Sequence, residues 1–358
     1  MDLIGDMLMK TLPGVAGPDV EAVQLRPRMI HRWTRLPVIG RSAGARLADR
    51  LTGRVWDYPR WLAPRVGDFD IFHVIDHSYA HVLRVLPADR TIVTCNDVDA
   101  IEAAVRGSVM RPAAFLARSV LSGVSRSAHV ACISEATKAA LLSSGRVRSE
   151  RVSVAYLGVH PSCTPGPPHV GPDALLHVGS TVPRKRIDVL LQLFAGVRRV
   201  TQNVRLIRVG GALTGPQRAL AAALGVLDAI DERPVLDRAQ VAEAYREASL
   251  LLLPSDREGF GLPLVEAMAC GTPVVGSAIP ALQEIGGDAA VYCRPGDVAV
   301  WVETVKTLLQ QRARDPEGWE ARRAACLRHS ARFNWNTYAA EMTKLYWRIA
   351  TQRSPQSS

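Results

Sequence analysis

Residues 255–275 read SDREGFGLPLVEAMACGTPVV. Two glutamates, Glu258 and Glu266, stand eight residues apart in it, with two glycines and a proline between them. The preceding run, LLLLPS (250–255), is short, apolar and closed by a proline, as expected of a strand buried on both faces. DREGFG is then the loop at that strand's C-terminal end. Pro263 suits the first position of a helix, PLVEAMAC, whose end Gly271 can cap. Open α/β sheets bind ligands at such strand ends. Gly259 and Gly261 allow backbone to come close to a ligand. The N–H groups around Gly261 and Leu262, with the helix dipole, suit a diphosphate. A carboxylate aimed at a vicinal diol accepts two hydroxyl hydrogen bonds, which fits a ribose or a sugar ring.

Working outward, the rest of the chain alternates strand-like and helical patterns. FDIFHVID (69–76), TIVTCND (91–97), AHVACIS (128–134) and VSVAYLG (152–158) read as strands. A Pro/Gly-rich joint, HPSCTPGPPHVGP (160–172), interrupts them. The alternation then restarts with strand-like ALLHVGS (174–180), VRLIRVGG (204–211), VLDAI (226–230), LLLLPS, TPVVGS (272–277) and AAVYC (289–293), with helices such as IDVLLQLFAGVRRV and RAQVAEAYREA between them. The expectation is an α/β protein of two doubly wound, Rossmann-like parallel-sheet domains facing an interdomain cleft. The domains are read as 1–165 and 166–330, with 331–358 a C-terminal amphipathic helix returning to the N-terminal domain. The N-terminal domain opens on a helix, MDLIGDMLMKTL, with Leu3, Met7, Leu8 and Leu12 on one face, and VEAVQLRP (20–27) reads as the next strand. A first strand and glycine turn are missing before that helix. Either this domain lacks its first strand, or the chain as given starts at an internal Met.

At 358 residues the chain suits two cores, and apolar residues make up 47% of it. No apolar run reaches membrane-spanning length and no secretory signal is visible, so a cytoplasmic protein is expected. The six cysteines form no C-x-x-C pair, which points to reduced, buried thiols rather than zinc. His73, His77 and His81 are four apart, but they fall on a strand and then a helix and share no face, so no metal site is expected. The net charge of +10 is unevenly spread: residues 26–65 hold ten arginines, no lysine and two aspartates, among Trp33, Trp56, Tyr58 and Trp61. Arginine beside interfacial aromatics suits a peripheral contact with an anionic membrane at its inner face, or an anionic acceptor. A merely solvated basic face is the competing reading. No nucleic-acid-binding motif is present, and none is expected as a partner.

PSDREGFGLPLVEAMACGTPVV resembles the donor-site signature of family 4 glycosyltransferases, retaining enzymes with a two-Rossmann-domain B-type fold. LLHVGSTVPRKRIDVLLQLF resembles that family's strand–loop–helix with its basic diphosphate clamp, and SAIPALQEIGGDAAVYCRPGD the stretch after its signature helix. ACISEATKAALL and VSVAYLGVHP are similar to the end of its first domain. The resemblance implies transfer of a sugar from a nucleoside diphosphate donor to an acceptor hydroxyl, on a glycan or a lipid-linked precursor, with retention and without cofactor or metal. By the same resemblance Glu266 would bind ribose hydroxyls and Glu258 the transferred sugar. Gly259, Phe260, Gly261 and Leu262 would present backbone to sugar and phosphate. Arg184 and Lys185 would neutralise the departing diphosphate.

The chain departs from the family pattern at TIVTCNDVDA, where His-Asp is usual and Asn96-Asp97 stands here. Asparagine hydrogen-bonds a hydroxyl but carries neither charge nor proton at neutral pH. His77, in a segment that Asp76 or Ser78 would cap, is placed to stand in for the missing histidine. The alternative is a non-catalytic or decayed sugar-nucleotide-binding relative. A phosphorylase would need a pyridoxal phosphate lysine, and no such site is recognisable.

Overall fold

The computed structural model describes residues 2–37, 42–97, 111–167, 169–201, 203–233 and 235–352. Arg41 of the basic run 26–65 and Pro168 of the joint lie outside them. The chain divides into two units, one of residues 1–156 with 335–358 and one of residues 157–334.

The first unit is built on a four-stranded parallel sheet, in the order β1 (Phe72–Val74), β2 (Thr91–Cys95), β3 (His129–Cys132), β4 (Val152–Val154). Each strand is shorter than its apolar run, because pairing stops where the chain turns at the strand's C-terminal end. β2 and β3 are buried along their whole length. One sheet face is aliphatic. Val93, Cys95, Val130 and Cys132 pack there with Val82 and Leu83 of the 3₁₀ segment His77–Arg84 and with Val120 and Val124 of a helix over Arg111–Arg126. Gly123 makes this close packing possible, since a Cβ there would lie 1.9 Å from the Ala80 carbonyl oxygen.

The opposite face is polar. His73 Nε2 meets Thr94 Oγ1 at 2.7 Å and its Nδ1 meets Tyr346 Oη at 2.8 Å. Arg348 lies 2.8 Å from His129 Nδ1. These residues fasten the last helix, Trp335–Thr351, to the sheet. The first helix, α1 (Asp2–Ala16), packs against that last helix, with Leu3, Met7, Leu8 and Leu12 buried as their periodicity predicts. The stretch 20–27 is not a strand; it has no regular structure and is largely exposed. Of its residues only Leu25 packs against the aliphatic core.

The second unit carries a six-stranded parallel sheet in the order β10-β9-β8-β5-β6-β7. Its strands are β5 (Ala174–Val178), β6 (Arg205–Val209), β7 (Ile230–Arg233), β8 (Leu250–Leu253), β9 (Val274–Ser277) and β10 (Val291–Cys293). VLDAI is therefore only in part a strand: Leu227–Ala229 form a 3₁₀ turn and the strand starts at Ile230. That run continues into charged residues because β7 is an edge strand, half-buried throughout. β5 pairs with both β6 and β8. The connections run outward in opposite directions from this pair, so the sheet has its topological switch point between β5 and β8.

Long apolar helices cover the sheet. α2 (Ile187–Val200) buries Ile187, Leu190, Leu191, Leu193, Phe194 and Val197 around Leu175 and Leu206. Trp301, on the helix Val298–Arg314, closes the same core with no exposed surface. Among the described residues, no helix is long and apolar enough to cross a membrane. All six cysteines are free and buried.

Candidate functional site

Two loops leave the sheet at its switch point. One follows β5 and carries Ser180–Arg186 into α2; the other follows β8 and carries Ser255–Gly261 into α3 (Leu262–Ala269). They are distant in sequence, but adjacent parallel strands deliver them side by side. The Asp256 N–H donates to the Arg184 carbonyl at 2.9 Å. Arg186, held in the left-handed region at φ 48°, spans the loops by donating to Asp188 and, at 2.9 Å, to Asp256. The basic run PRKR is thus not a solvated turn, and Lys185 is almost fully buried.

Glu258 is the centre of this junction. Lys185 Nζ donates to its Oε1 at 2.5 Å, Arg184 Nη1 to its Oε2 at 3.0 Å, and Ser255 Oγ to its Oε1 at 2.7 Å. Burial pushes the Glu258 carboxyl up, but the Lys185 charge and the donated hydrogen bonds outweigh it and hold the group below its ordinary value. Of the predicted site residues, the fold therefore brings Glu258, Arg184 and Lys185 together as one ionic cluster.

Gly261 is the N-cap of α3, at φ +89°. A Cβ there would be strained and would come 2.5 Å from Leu282 Cδ2, so both the turn and the packing require glycine. The helix begins at Leu262, which puts Pro263 one position later than expected. The reason is that the left-handed Gly261 already starts the turn, through a Leu264 N–H to Gly261 carbonyl bond of 2.8 Å. The Phe260 side chain is core, packed edge-on to Phe333 with centroids 5.7 Å apart, so what Phe260 can offer a ligand is backbone.

Glu266 lies one turn into α3 and is 4% exposed. Tyr245 Oη, from the helix Arg238–Glu247, donates to its Oε2 at 2.9 Å, and Arg238 Nη1 is 3.6 Å from Oε1. Oε1 has no hydrogen-bond partner among the described residues. Burial raises the Glu266 carboxyl above its ordinary value, with Arg238 and the Tyr245 bond opposing. The two glutamates therefore differ in state: one is saturated with cations, the other is buried with one oxygen uncommitted. Sequence reading missed Tyr245 and Arg238, because RAQVAEAYREA reads as an ordinary amphipathic helix.

Asn96 belongs to the first unit, at the C-terminal end of β2. Its backbone N–H donates to His77 Nδ1 at 3.3 Å and its Nδ2 to the Ile75 carbonyl at 3.3 Å, while Oδ1 is buried without a partner among the described residues. Asp76 caps the following 3₁₀ segment by accepting from Ser78 N–H at 2.9 Å. His77 is 3% exposed and lies 3.7 Å from Asp97. The structure thus sets His77 directly against Asn96. Among the described residues no group of three or more His, Cys, Asp or Glu is arranged to hold a metal ion.

Comparison with known proteins agrees with this geometry. Residues 167–324 match the family of glycosyl transferases group 1. The D-inositol 3-phosphate glycosyltransferases of Thermobispora bispora and Xylanimonas cellulosilytica are 32% and 35% identical to this chain, over 48% and 51% of it. The chain spans less than half the length of these relatives, 42% and 43%. Among solved structures, sucrose-phosphate synthase from Thermosynechococcus elongatus superposes with a TM-score of 0.73 at 17% identity, over 98% of this chain and 94% of that one. WaaG, a glycosyltransferase involved in lipopolysaccharide biosynthesis, gives 0.67 at 18% identity, over 87% and 85%. HepE of Anabaena, solved with UDP and glucose, gives 0.67 at 18% identity, over 82% of each chain. The chain therefore has the B-type glycosyltransferase fold of two parallel-sheet units, and its residues 167–324 match the glycosyl transferases group 1 family.

Proposed function

We propose that the chain transfers a sugar from a nucleoside diphosphate donor to an acceptor hydroxyl, with retention of configuration and without a metal. The observation that carries this reading is the cluster at the switch point, where Glu258 is held between Lys185 at 2.5 Å and Arg184 at 3.0 Å. Departure of a nucleoside diphosphate leaves negative charge on oxygen. Two fixed cations in a partly desolvated loop stabilise that charge in the transition state. They supply the charge that a divalent cation would otherwise bring.

Glu266 is the ribose ligand in this reading. Its Oε1, ion-paired with Arg238 at 3.6 Å but accepting no hydrogen bond among the described residues, can accept from a hydroxyl, while Tyr245 orients the other oxygen. Backbone of Gly259–Leu262 lies against sugar and phosphate at the start of α3. Glu258 contacts the transferred sugar and steadies positive charge developing at its anomeric carbon. Its engagement with two cations and Ser255 argues against use as a free nucleophile, so attack on the face from which the diphosphate leaves, assisted by that diphosphate, fits better than a covalent intermediate. HepE has been solved in complex with UDP and glucose and with UDP-glucose, which supports a sugar nucleotide as donor here. The acceptor is a glycan or a lipid-linked precursor. The arginine- and tryptophan-rich segment 26–65 supports peripheral contact with an anionic membrane surface: Trp33 and Trp56 are exposed, and Arg60 lies over the Trp56 ring at 3.9 Å.

The test is calorimetric binding of UDP, GDP and ADP and of their sugar forms to the full chain, with a transfer assay in the presence and absence of EDTA. Glu266→Ala is expected to weaken the preferred nucleotide about tenfold or more, which corresponds to loss of a charged hydrogen bond. Turnover should persist in EDTA. Unchanged affinity for every bound nucleotide would sink the donor-site assignment, and tight binding without turnover would support a non-catalytic relative instead.

A further inference from the structure

Beneath the clamp lies a buried cation that the donor reading does not use. Arg208 is on β6, opposite His177 on β5 and Glu232 on β7 in the sheet register. Arg208 and His177 have no exposed surface. Leu175 and Leu206, two residues earlier on the same faces, belong to the aliphatic core. The polar row therefore sits on top of that core, at the end of the sheet where the clamp loop departs. Arg208 Nη1 donates to the carbonyls of Gly179 and Val209, both at 2.8 Å. Its Nε and Nη2, and both ring nitrogens of His177, have no hydrogen-bond partner among the described residues. Glu232 acts on Arg208 through its charge, but its oxygens are taken by the Leu213 N–H at 2.7 Å and by Arg218.

A guanidinium in this state is costly. Burying a charge without a hydrogen-bonded partner of opposite charge is among the most unfavourable arrangements in a core. The His177 ring does not compensate, because burial, with Arg208 and Lys185 near it, keeps it neutral. Lys185 is close above: a Cβ on Gly179 would lie 3.5 Å from Lys185 Cε and 3.2 Å from His177 Cε1. Gly179 is the residue at which the chain leaves β5 for the clamp, and it is packed so tightly against Gly210 that a Cβ on Gly210 would come 2.7 Å from its carbonyl oxygen. The Arg208 bond to that carbonyl thus fixes the root of the loop bearing Arg184 and Lys185. In a low-dielectric surrounding its charge is felt at distances that water would screen.

We propose that Arg208 is a positioning residue for the donor diphosphate: it locks the clamp loop through Gly179 and supplies buried positive charge beneath Lys185. This rests on the donor-site reading above. Arg184 and Lys185 with Glu258 leave one net positive charge, and Arg208 raises this excess to two where the dianionic group docks. Arg208 does not touch the ligand.

The test uses inorganic pyrophosphate, the nucleoside diphosphate that the wild type binds best among UDP, GDP and ADP, and the matching nucleoside as competitor. Arg208→Met and Arg208→Gln are expected to weaken pyrophosphate and the nucleoside diphosphate about tenfold, while nucleoside affinity stays within about twofold. Arg208→Lys, whose buried ammonium loses its proton far more readily than a guanidinium, should weaken pyrophosphate by an amount between wild type and the neutral variants, with nucleoside affinity within about twofold. A purely structural role would lower nucleoside and pyrophosphate binding alike, and that result overturns the proposal. So do neutral variants that bind pyrophosphate as the wild type does. Near-UV circular dichroism checks the fold. If neither neutral variant folds, Arg208→Lys decides: pyrophosphate weakened with nucleoside affinity unchanged supports the proposal, and both weakened alike overturn it. Lys185→Met separates the two readings. If it abolishes pyrophosphate binding and the Arg208 variants do not alter it, only the role of Arg208 fails. If the wild type binds neither pyrophosphate nor any of the nucleotides, both fail.

Discussion

Lys185 Nζ and Glu258 Oε1 lie 2.5 Å apart, although 73 residues separate them in the chain. Both side chains are nearly inaccessible, at 9% and 6%. A buried pair of this kind stabilises little over an apolar substitute, but breaking it leaves a charge stranded.

Lys185→Met is therefore expected to destabilise the second unit by about 3 kcal/mol, the lower end of the range because Arg184 and Ser255 still hold Glu258. Urea unfolding measures it. Lys185→Met combined with Glu258→Gln should recover part of the loss. Because the folded-state value of Glu258 lies below its ordinary 4.5, its contribution is complete above that pH and is lost as pH falls through the depressed value. A stability profile of Glu258→Gln that parallels the wild type across this acid range would contradict the assignment.

The opposite sign applies to Glu266. Its carboxyl is raised above 4.5 by burial, and only the carboxylate accepts two ribose hydroxyls. Nucleotide affinity should fall with decreasing pH from a point above that value, and Glu266→Gln should bind weakly with little pH dependence. Tyr245→Phe removes a donor to the carboxylate and should shift the fall to still higher pH. Titration calorimetry between pH 5 and 8 reads all three, and a wild-type affinity that is flat across this interval and declines only below the ordinary glutamate value would count against the role.

Asn96→His should raise turnover severalfold with little change in donor KM, because an imidazole there can carry a proton that a carboxamide cannot. His77 already lies against this position, its Nδ1 3.3 Å from the Asn96 nitrogen. Initial rates with the accepted donor and acceptor are the measurement. A drop in kcat would show that asparagine is the tuned residue in this chain.

The proposed membrane contact has a separate signature. Full-length chain should co-sediment with vesicles containing anionic lipid, and the bound fraction should fall as salt rises toward about 0.5 M, where surface charges are screened over a few ångströms. Trp33→Ser with Trp56→Ser should reduce binding at low salt, since both rings are exposed. Binding indifferent to lipid charge and to salt would refute the contact.

Much of the molecule is legible in one dimension. The runs LLLLPS and EGFGLPLVEAMAC determine a buried strand, a glycine turn and a helix start by local rules: apolar runs, positive φ and helix capping. The alternation of such units implies parallel sheets, since only a crossover returns a parallel strand. The structure confirms the B-type fold that follows. Where local pattern misleads, as at 20–27 and 226–230, partners in the sheet decide. A strand exists only where a neighbour takes its hydrogen bonds.

What tertiary structure alone decided is the electrostatics. Nothing in the sequence says that Lys185 is buried on Glu258, that Tyr245 meets Glu266, or that Arg208 is buried above the aliphatic core with two of its nitrogens unpaired. Such pairings depend on which strands are adjacent, and the order β8-β5-β6 is set by the packing of all the helices at once. Charge, unlike hydrophobic periodicity, has no local signature: its energy depends on distance and on exclusion of water, and both are properties of the folded chain.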